Sequence, residues 1–146
     1  MVNSAALHRH KFTTHADGSD AVLFLHELLG EQDGPTIGIS GCIHGNENTG
    51  SQAILELYRA LKSTPLKGRI VFLPVANVRA FAVNHRFTPI DELNLNREFP
   101  GDVRLAQKVA GGGIEFEPGG TFDDCVFRRF DLEERADLFA IHLPCL

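Results

Sequence analysis

The sequence predicts an α/β fold, and three observations carry that prediction. Thr36-Ile37-Gly38-Ile39 has the length and apolar character of a short strand. Arg69-Ile70-Val71-Phe72-Leu73-Pro74-Val75 is a nearly continuous apolar run, as expected of a strand covered on both faces. Between the two, Thr49 to Lys62 places Ile54, Leu57, Tyr58 and Leu61 on one helical face and leaves Glu56, Arg59 and Lys62 outside it. Strand, helix and strand in that order form a βαβ unit, which implies a parallel pair joined by a right-handed crossover.

Taken in order, residues 1 to 19 carry His8, His10 and His15 among polar neighbours with weak periodicity. A His-x-His pair on a strand points both rings to one side, but without a third ligand it reads as a solvated or edge-strand segment. Ala21-Val22-Leu23-Phe24-Leu25-His26 reads as a short buried strand. Glu31-Gln32-Asp33-Gly34-Pro35 has the Gly-Pro punctuation of a turn leading into Thr36. Pro65 ends the helix, and Lys67-Gly68 turns the chain into the strand at Arg69.

Beyond it, Arg79 to Val83 fits a helical turn. The stretch Asn84 to Gly101 is dense in amides, charges and turn formers and follows neither period. Ordering a long polar loop is costly, so such loops are often functional. Residues 102 to 136 have low apolar density, with Gly111-Gly112-Gly113 and Gly119-Gly120 among them, and predict loops. Leu138-Phe139-Ala140-Ile141-His142-Leu143 reads as a last strand bearing a histidine.

Composition narrows the function. The 146 residues, 43% of them hydrophobic, suit one domain spanning 1–146 with a real core. A net charge of −5 argues against nucleic acid as a partner, since such binding draws its affinity from basic surface. No apolar run approaches the roughly 20 residues of a membrane span, and the N-terminus lacks a signal-peptide pattern, so a cytoplasmic protein is expected. Cys42, Cys125 and Cys145 are odd in number and lack CxxC spacing, which suggests neither a disulfide framework nor a thiolate zinc site.

The chemistry centres on Gly41-Cys42-Ile43-His44-Gly45-Asn46-Glu47, which follows the strand at Thr36 and opens the helix. His44 and Glu47 can bring an imidazole nitrogen and a carboxylate oxygen to one point, where zinc accepts both ligand types. Open α/β sheets place their sites at this end of a strand. An isolated HxxE is also the pattern of a loop histidine followed by a carboxylate favoured at a helix start. Arg86 and Arg97 suit a substrate carboxylate held by paired hydrogen bonds; each is also a candidate for a surface ion pair, with Asp91 or Glu98.

With Asn94-Leu95-Asn96-Arg97-Glu98-Phe99-Pro100-Gly101 following His44-Gly45-Asn46-Glu47, the chain resembles the succinylglutamate desuccinylase/aspartoacylase family. These are zinc-dependent amidohydrolases related to the zinc carboxypeptidases, and the resemblance is clearest from Gly34 to Gly101. It implies a three-layer α/β fold with a mixed, partly parallel sheet and flanking helices. It implies Zn2+ held by His44 and Glu47, with His142 matching the third ligand, a later strand histidine. Asn96, Arg97 and Arg86 would contact substrate or polarise its carbonyl, with Arg97 either the catalytic group that stabilises the developing oxyanion or a second grip, with Arg86, on a substrate carboxylate.

Two departures accompany the resemblance. Ala140 stands where the family has an aspartate, which removes support for His142. Family members also continue well past the third ligand, and their general base comes from that later part; Glu115, Glu117, Glu133 and Glu134 lack its context. The expected function is therefore zinc-dependent hydrolysis of the amide bond in small N-acyl amino acids. The alternatives are a truncated, inactive homologue retaining a metal- or ligand-binding half-domain, and a metal-free α/β interaction module. A truncated sheet leaves an edge and an apolar face uncovered, so homo-oligomers are expected.

Overall fold

The computed structural model describes residues 3–89 and 91–97, together with the backbone of a strand at 138–142. In chain order the elements are β1 (Ser4–Thr14), β2 (Asp20–Leu29), β3 (Gln32–Ser40), α1 (Thr49–Leu61), β4 (Lys67–Leu73), α2 (Val78–Ala82), a 3-10 turn (Leu95–Arg97) and β5 (Leu138–His142). The strands form one sheet in the order β1-β2-β4-β3-β5. β1 and β2 pair antiparallel, as do β2 and β4, whereas β3 runs parallel to both β4 and β5. The sheet is thus mixed and partly parallel, with the predicted βαβ unit, β3-α1-β4, at its centre.

Side-chain alternation divides the core between the two faces. On one side Leu28, Ile39 and Phe72 meet Ile54 of α1, with Tyr58 and Leu61 of the same helix packed around them. This is the apolar stripe read from the sequence; Leu57 lies at its margin, 38% exposed. On the other side Leu23, Leu25, Val71 and Leu73 meet Ile43 and Ala76, which belong to the loops leaving β3 and β4. Phe72, Leu25, Leu28, Ile54 and Leu73 are fully buried, and each such side chain contributes about 1.5–3 kcal/mol. The site loops are therefore part of the core and inherit its rigidity.

Three boundaries differ from the sequence reading. The segment Glu31 to Pro35, expected as a turn, lies mostly within β3, which begins at Gln32. Pro35 has no N–H to give the ladder, and the β3–β4 register slips between Gln32 and Thr36. Gly68 accommodates the slip: its φ is +80°, and a Cβ there would overlap the backbone of Gly34 and Pro35. β4 spans Lys67–Leu73 rather than 69–75 and stops before Pro74. β2 runs on to Leu29, and β1 is a full edge strand paired to it along most of its length.

No helix among the described residues is long and apolar enough to cross a membrane. The readings for residues 102 to 136, and for Glu98, Cys125 and Cys145, lie outside the described residues.

Candidate metal centre

The loop after β3 reaches His44 on a supported path. Hydrogen bonding of the parallel pair continues past the strand ends, with Gly41 N donating to Leu73 O (3.0 Å), Ala76 N to Gly41 O (2.9 Å) and Asn77 N to Cys42 O (3.1 Å). Cys42 lies in the left-handed region at φ +52°, uncommon for a residue with a Cβ, and is almost wholly buried. Its thiol donates to His44 O at 3.3 Å, and burial pushes the thiol above its ordinary value. Cys42 therefore packs and supports the turn, as a small, weakly polar side chain can. Glu47 N closes the turn on His44 O at 3.1 Å, and buried Ser51 donates to Pro74 O at 2.6 Å, tying α1 to the end of β4.

The second half of the site comes from the segment after β4. Asn77 caps α2 by accepting from Ala80 N (3.1 Å) and donates to Thr88 Oγ1 (3.1 Å), anchoring the long polar loop. That loop is closed by Glu92 N to Thr88 O at 2.9 Å and Leu93 N to Asp91 Oδ1 at 3.0 Å. It then delivers Asn94 to the imidazole.

His44 is 6% exposed, and both its ring nitrogens are engaged. Nδ1 lies 2.7 Å from Glu47 Oε2, and Nε2 lies 2.9 Å from Asn94 Oδ1. The other carboxylate oxygen of Glu47 accepts from Arg86 Nη1. Arg86 is therefore in an ion pair, as one reading of the sequence allowed, but with Glu47 rather than Asp91 or Glu98. Asn96 and Arg97 stand exposed in the 3-10 turn beside Asn94. The backbone register sets His142 opposite Ser40, at the C-terminal end of β5 and four residues before His44 in the neighbouring strand's path.

The donor chemistry fits a metal ion. A neutral imidazole carries one N–H. His44 Nδ1 and Glu47 Oε2 face each other at 2.7 Å, and an imidazole nitrogen and a carboxylate oxygen are both atoms that zinc accepts. Among the described residues, no three His, Cys, Asp or Glu side chains converge on one point. His44 and Glu47 are thus the described pair, and zinc chemistry needs at least one more donor.

Asn94 is the functional residue that sequence reasoning missed, although it opened the motif quoted for the resemblance. Two asparagines separated by one residue are a turn signal, since an Asx side chain accepts from the backbone two residues on. Nothing in the spacing reveals that the same oxygen reaches His44, 50 positions away.

Comparison with known proteins defines the class and then the family. The architecture is that of the zinc carboxypeptidase-like fold: carboxypeptidase A from Helicoverpa armigera superposes with a TM-score of 0.55 over 97% of this chain and 40% of its own, at 16% identity. Within that class, the succinylglutamate desuccinylase/aspartoacylase catalytic domain matches residues 33–111, and the chain belongs to that family. An aspartoacylase family protein from Mesorhizobium loti matches with a TM-score of 0.66 and 28% identity, over 94% of this chain and 40% of that one. The N-alpha-acetyl-L-2,4-diaminobutyric acid deacetylase of Halomonas elongata is 35% identical over 92 residues, which is 62% of this chain and 27% of the relative. The chain thus spans well under half the length of these relatives.

Proposed function

We propose that the chain carries the metal-binding turn of a zinc-dependent hydrolase that cleaves the amide bond of small N-acyl amino acids, in the manner of a deacylase or desuccinylase. His44 and Glu47 are two of the metal donors and His142 is the third. The observation that carries this reading is the buried imidazole of His44, with Glu47 against Nδ1 and the amide oxygen of Asn94 against Nε2. Membership of the family supports it, as does the curated relative, whose name is that of a deacetylase acting on an N-acetylated amino acid.

When bound, zinc polarises the amide carbonyl and activates water for attack. The chain's own residues bind and orient. Arg97, on the 3-10 turn, stabilises the oxyanion as the carbonyl is attacked, and Arg86 and Asn96 hold the substrate carboxylate and amide. Acidic substrates suit these arginines despite the net charge of −5, because the local field decides what a pocket prefers.

Elemental analysis of the purified chain tests the metal: one zinc per chain is expected, and none after His44→Ala. Protein that neither carries nor takes up zinc rejects the reading. Hydrolysis of a panel of N-acetyl and N-succinyl amino acids then tests the chemistry against a Glu47→Ala control. Zinc binding without turnover would leave a metal-binding homologue in place of a hydrolase.

A further inference from the structure

We infer that Thr88 is a positioning residue that aims Arg86, and that it does so through one buried hydrogen bond to Asn77. The inference rests on the reading of Arg86 as a grip on the substrate carboxylate. Residues 81–86 are exposed and Phe87 is half-buried, so Thr88, at 7% exposure, is where this loop returns to the interior. Its main chain is held on both sides, with N donating to Leu93 O at 3.2 Å and O accepting from Glu92 N at 2.9 Å. Its hydroxyl oxygen accepts from Asn77 Nδ2 at 3.1 Å. The Asn77 amide has one orientation only, because its oxygen must accept from Ala80 N at 3.1 Å, which turns the amide nitrogen towards Thr88.

Asn77 is where three pieces of the site meet. Its main-chain N–H donates to Cys42 O at 3.1 Å, its side-chain oxygen caps α2, and its side-chain nitrogen holds the loop of Arg86. α2 in turn lies hard against the metal-binding turn, since a Cβ on Gly45 would come within 2.0 Å of Ala80 C. At the near end of the loop, His85 N donates to Ala80 O at 2.9 Å. Arg86 is therefore strung between two anchors, one on α2 and one on its cap, and both are fixed to the turn that carries His44 and Glu47. Its guanidinium donates through Nη1 to Glu47, and its Cζ lies 6.0 Å from the centroid of the Phe87 ring. Asn77 and Thr88 are both buried, so water is poorly placed to stand in for a lost hydroxyl. Removing that hydroxyl frees one anchor, and a long side chain turns slack at its root into a misplaced charge.

Two substitutions separate the hydroxyl from the bulk of the side chain: Thr88→Val keeps the shape and removes the acceptor, and Thr88→Ser keeps the acceptor. Arginine side-chain 15N–1H spectra of the 146-residue chain read the guanidinium directly, with the Arg86 signal assigned through Arg86→Lys, and need neither metal nor substrate. In the parent and in Thr88→Ser the Arg86 signal should stand apart from those of freely rotating arginines, and in Thr88→Val it should merge with them. Kinetics on N-acetyl amino acids and their carboxamides give the functional readout. Thr88→Val should reduce the preference for the carboxylate by about 10–100-fold, the worth of a hydrogen bond to a charged group, acting on KM more than on kcat, and Thr88→Ser should restore it. A purely structural role would lower the melting temperature of Thr88→Val and leave the Arg86 signal in place, which overturns the inference. A signal that already merges in the parent, or that merges in Thr88→Ser as well, overturns it too. If the parent hydrolyses none of these substrates the proposed function fails, and the guanidinium signal still decides the role of Thr88.

Discussion

Gly45→Ala is the most searching single change, because one methyl group tests whether the site loop and α2 are locked together. A Cβ at Gly45 would overlap Ala80 C, Ala80 O and Phe81 N, all of them backbone atoms that no rotamer change can move aside. The nearest of these would lie 2.0 Å away, against ordinary carbon contacts of about 3.5–4.0 Å, so the turn bearing His44 must back away from α2 by roughly 1.5 Å. Overpacking of this kind costs about 1–3 kcal/mol. For a chain of this size that should lower the melting temperature by roughly 3–12 °C. The larger consequence is functional, because His44 directly precedes the displaced residue and its bonds to Glu47 and Asn94 are 2.7 and 2.9 Å long. A misplacement of about 1 Å can cost on the order of 100-fold in activity. Calorimetric melts with parallel zinc titrations read both effects. A Gly45→Ala protein that melts with the parent and binds zinc equally would refute the close approach.

Three further changes probe the scaffold. Asn3 is buried at 7% exposure and makes three hydrogen bonds, to Leu61 O, to Thr64 O and from Leu66 N. At about 1 kcal/mol each, Asn3→Leu should cost about 3 kcal/mol and lower the urea midpoint by roughly 1–2 M; an unmoved midpoint would contradict it. His26 rests against Tyr58 with ring centroids 5.0 Å apart, and burial holds its pKa below the ordinary 6.5. The unfolded chain takes that proton first, so the stability His26 contributes is present above pH 6.5 and lost as pH falls through its folded value. His26→Phe should flatten the pH dependence of stability just below pH 6.5, and an unchanged slope would count against desolvation as the cause. Leu7 and Phe24 stand 60% and 49% exposed, and the β1–β2 register puts them on one face of the hairpin. Sedimentation should show association that Phe24→Lys weakens, and a monodisperse parent monomer at high concentration would contradict it.

The parts of the fold that were legible in the sequence are those where burial is one-sided or complete. α1 announces itself because Ile54, Tyr58 and Leu61 must meet the sheet while Glu56 and Arg59 face water, and Pro65 stands just beyond its end. β4 is apolar from Ile70 to Leu73, where both its faces are covered. β1 carries no such signal: most of its described side chains are exposed or half-buried, so no alternation is imposed on Ser4 to Thr14. β3 was cut short for a different reason, since Gly34-Pro35 is turn chemistry that here serves a register slip. In the site, His44 and Glu47 were legible as close neighbours in sequence. The partners of Arg86 and Asn94 were not, because their contacts cross 39 and 50 positions and leave no spacing to read.

The electrostatics of the centre follow from which groups surround the two histidines. Behind His44 stands an amide, and at the position where the resemblance expects an aspartate near His142 the sequence has Ala140. Neither supplies a negative charge. Among the described groups around His44, the anionic character rests on Glu47, which Arg86 already partly neutralises. A metal site whose negative charge is concentrated in one donor depends on that donor more than on the orientation of its neighbours. Glu47→Gln, which keeps shape and removes charge, should therefore cost more zinc affinity than Asn94→Ala. The reverse order would mean that the aim of the imidazole, and not the charge of the carboxylate, governs how firmly the ion is held.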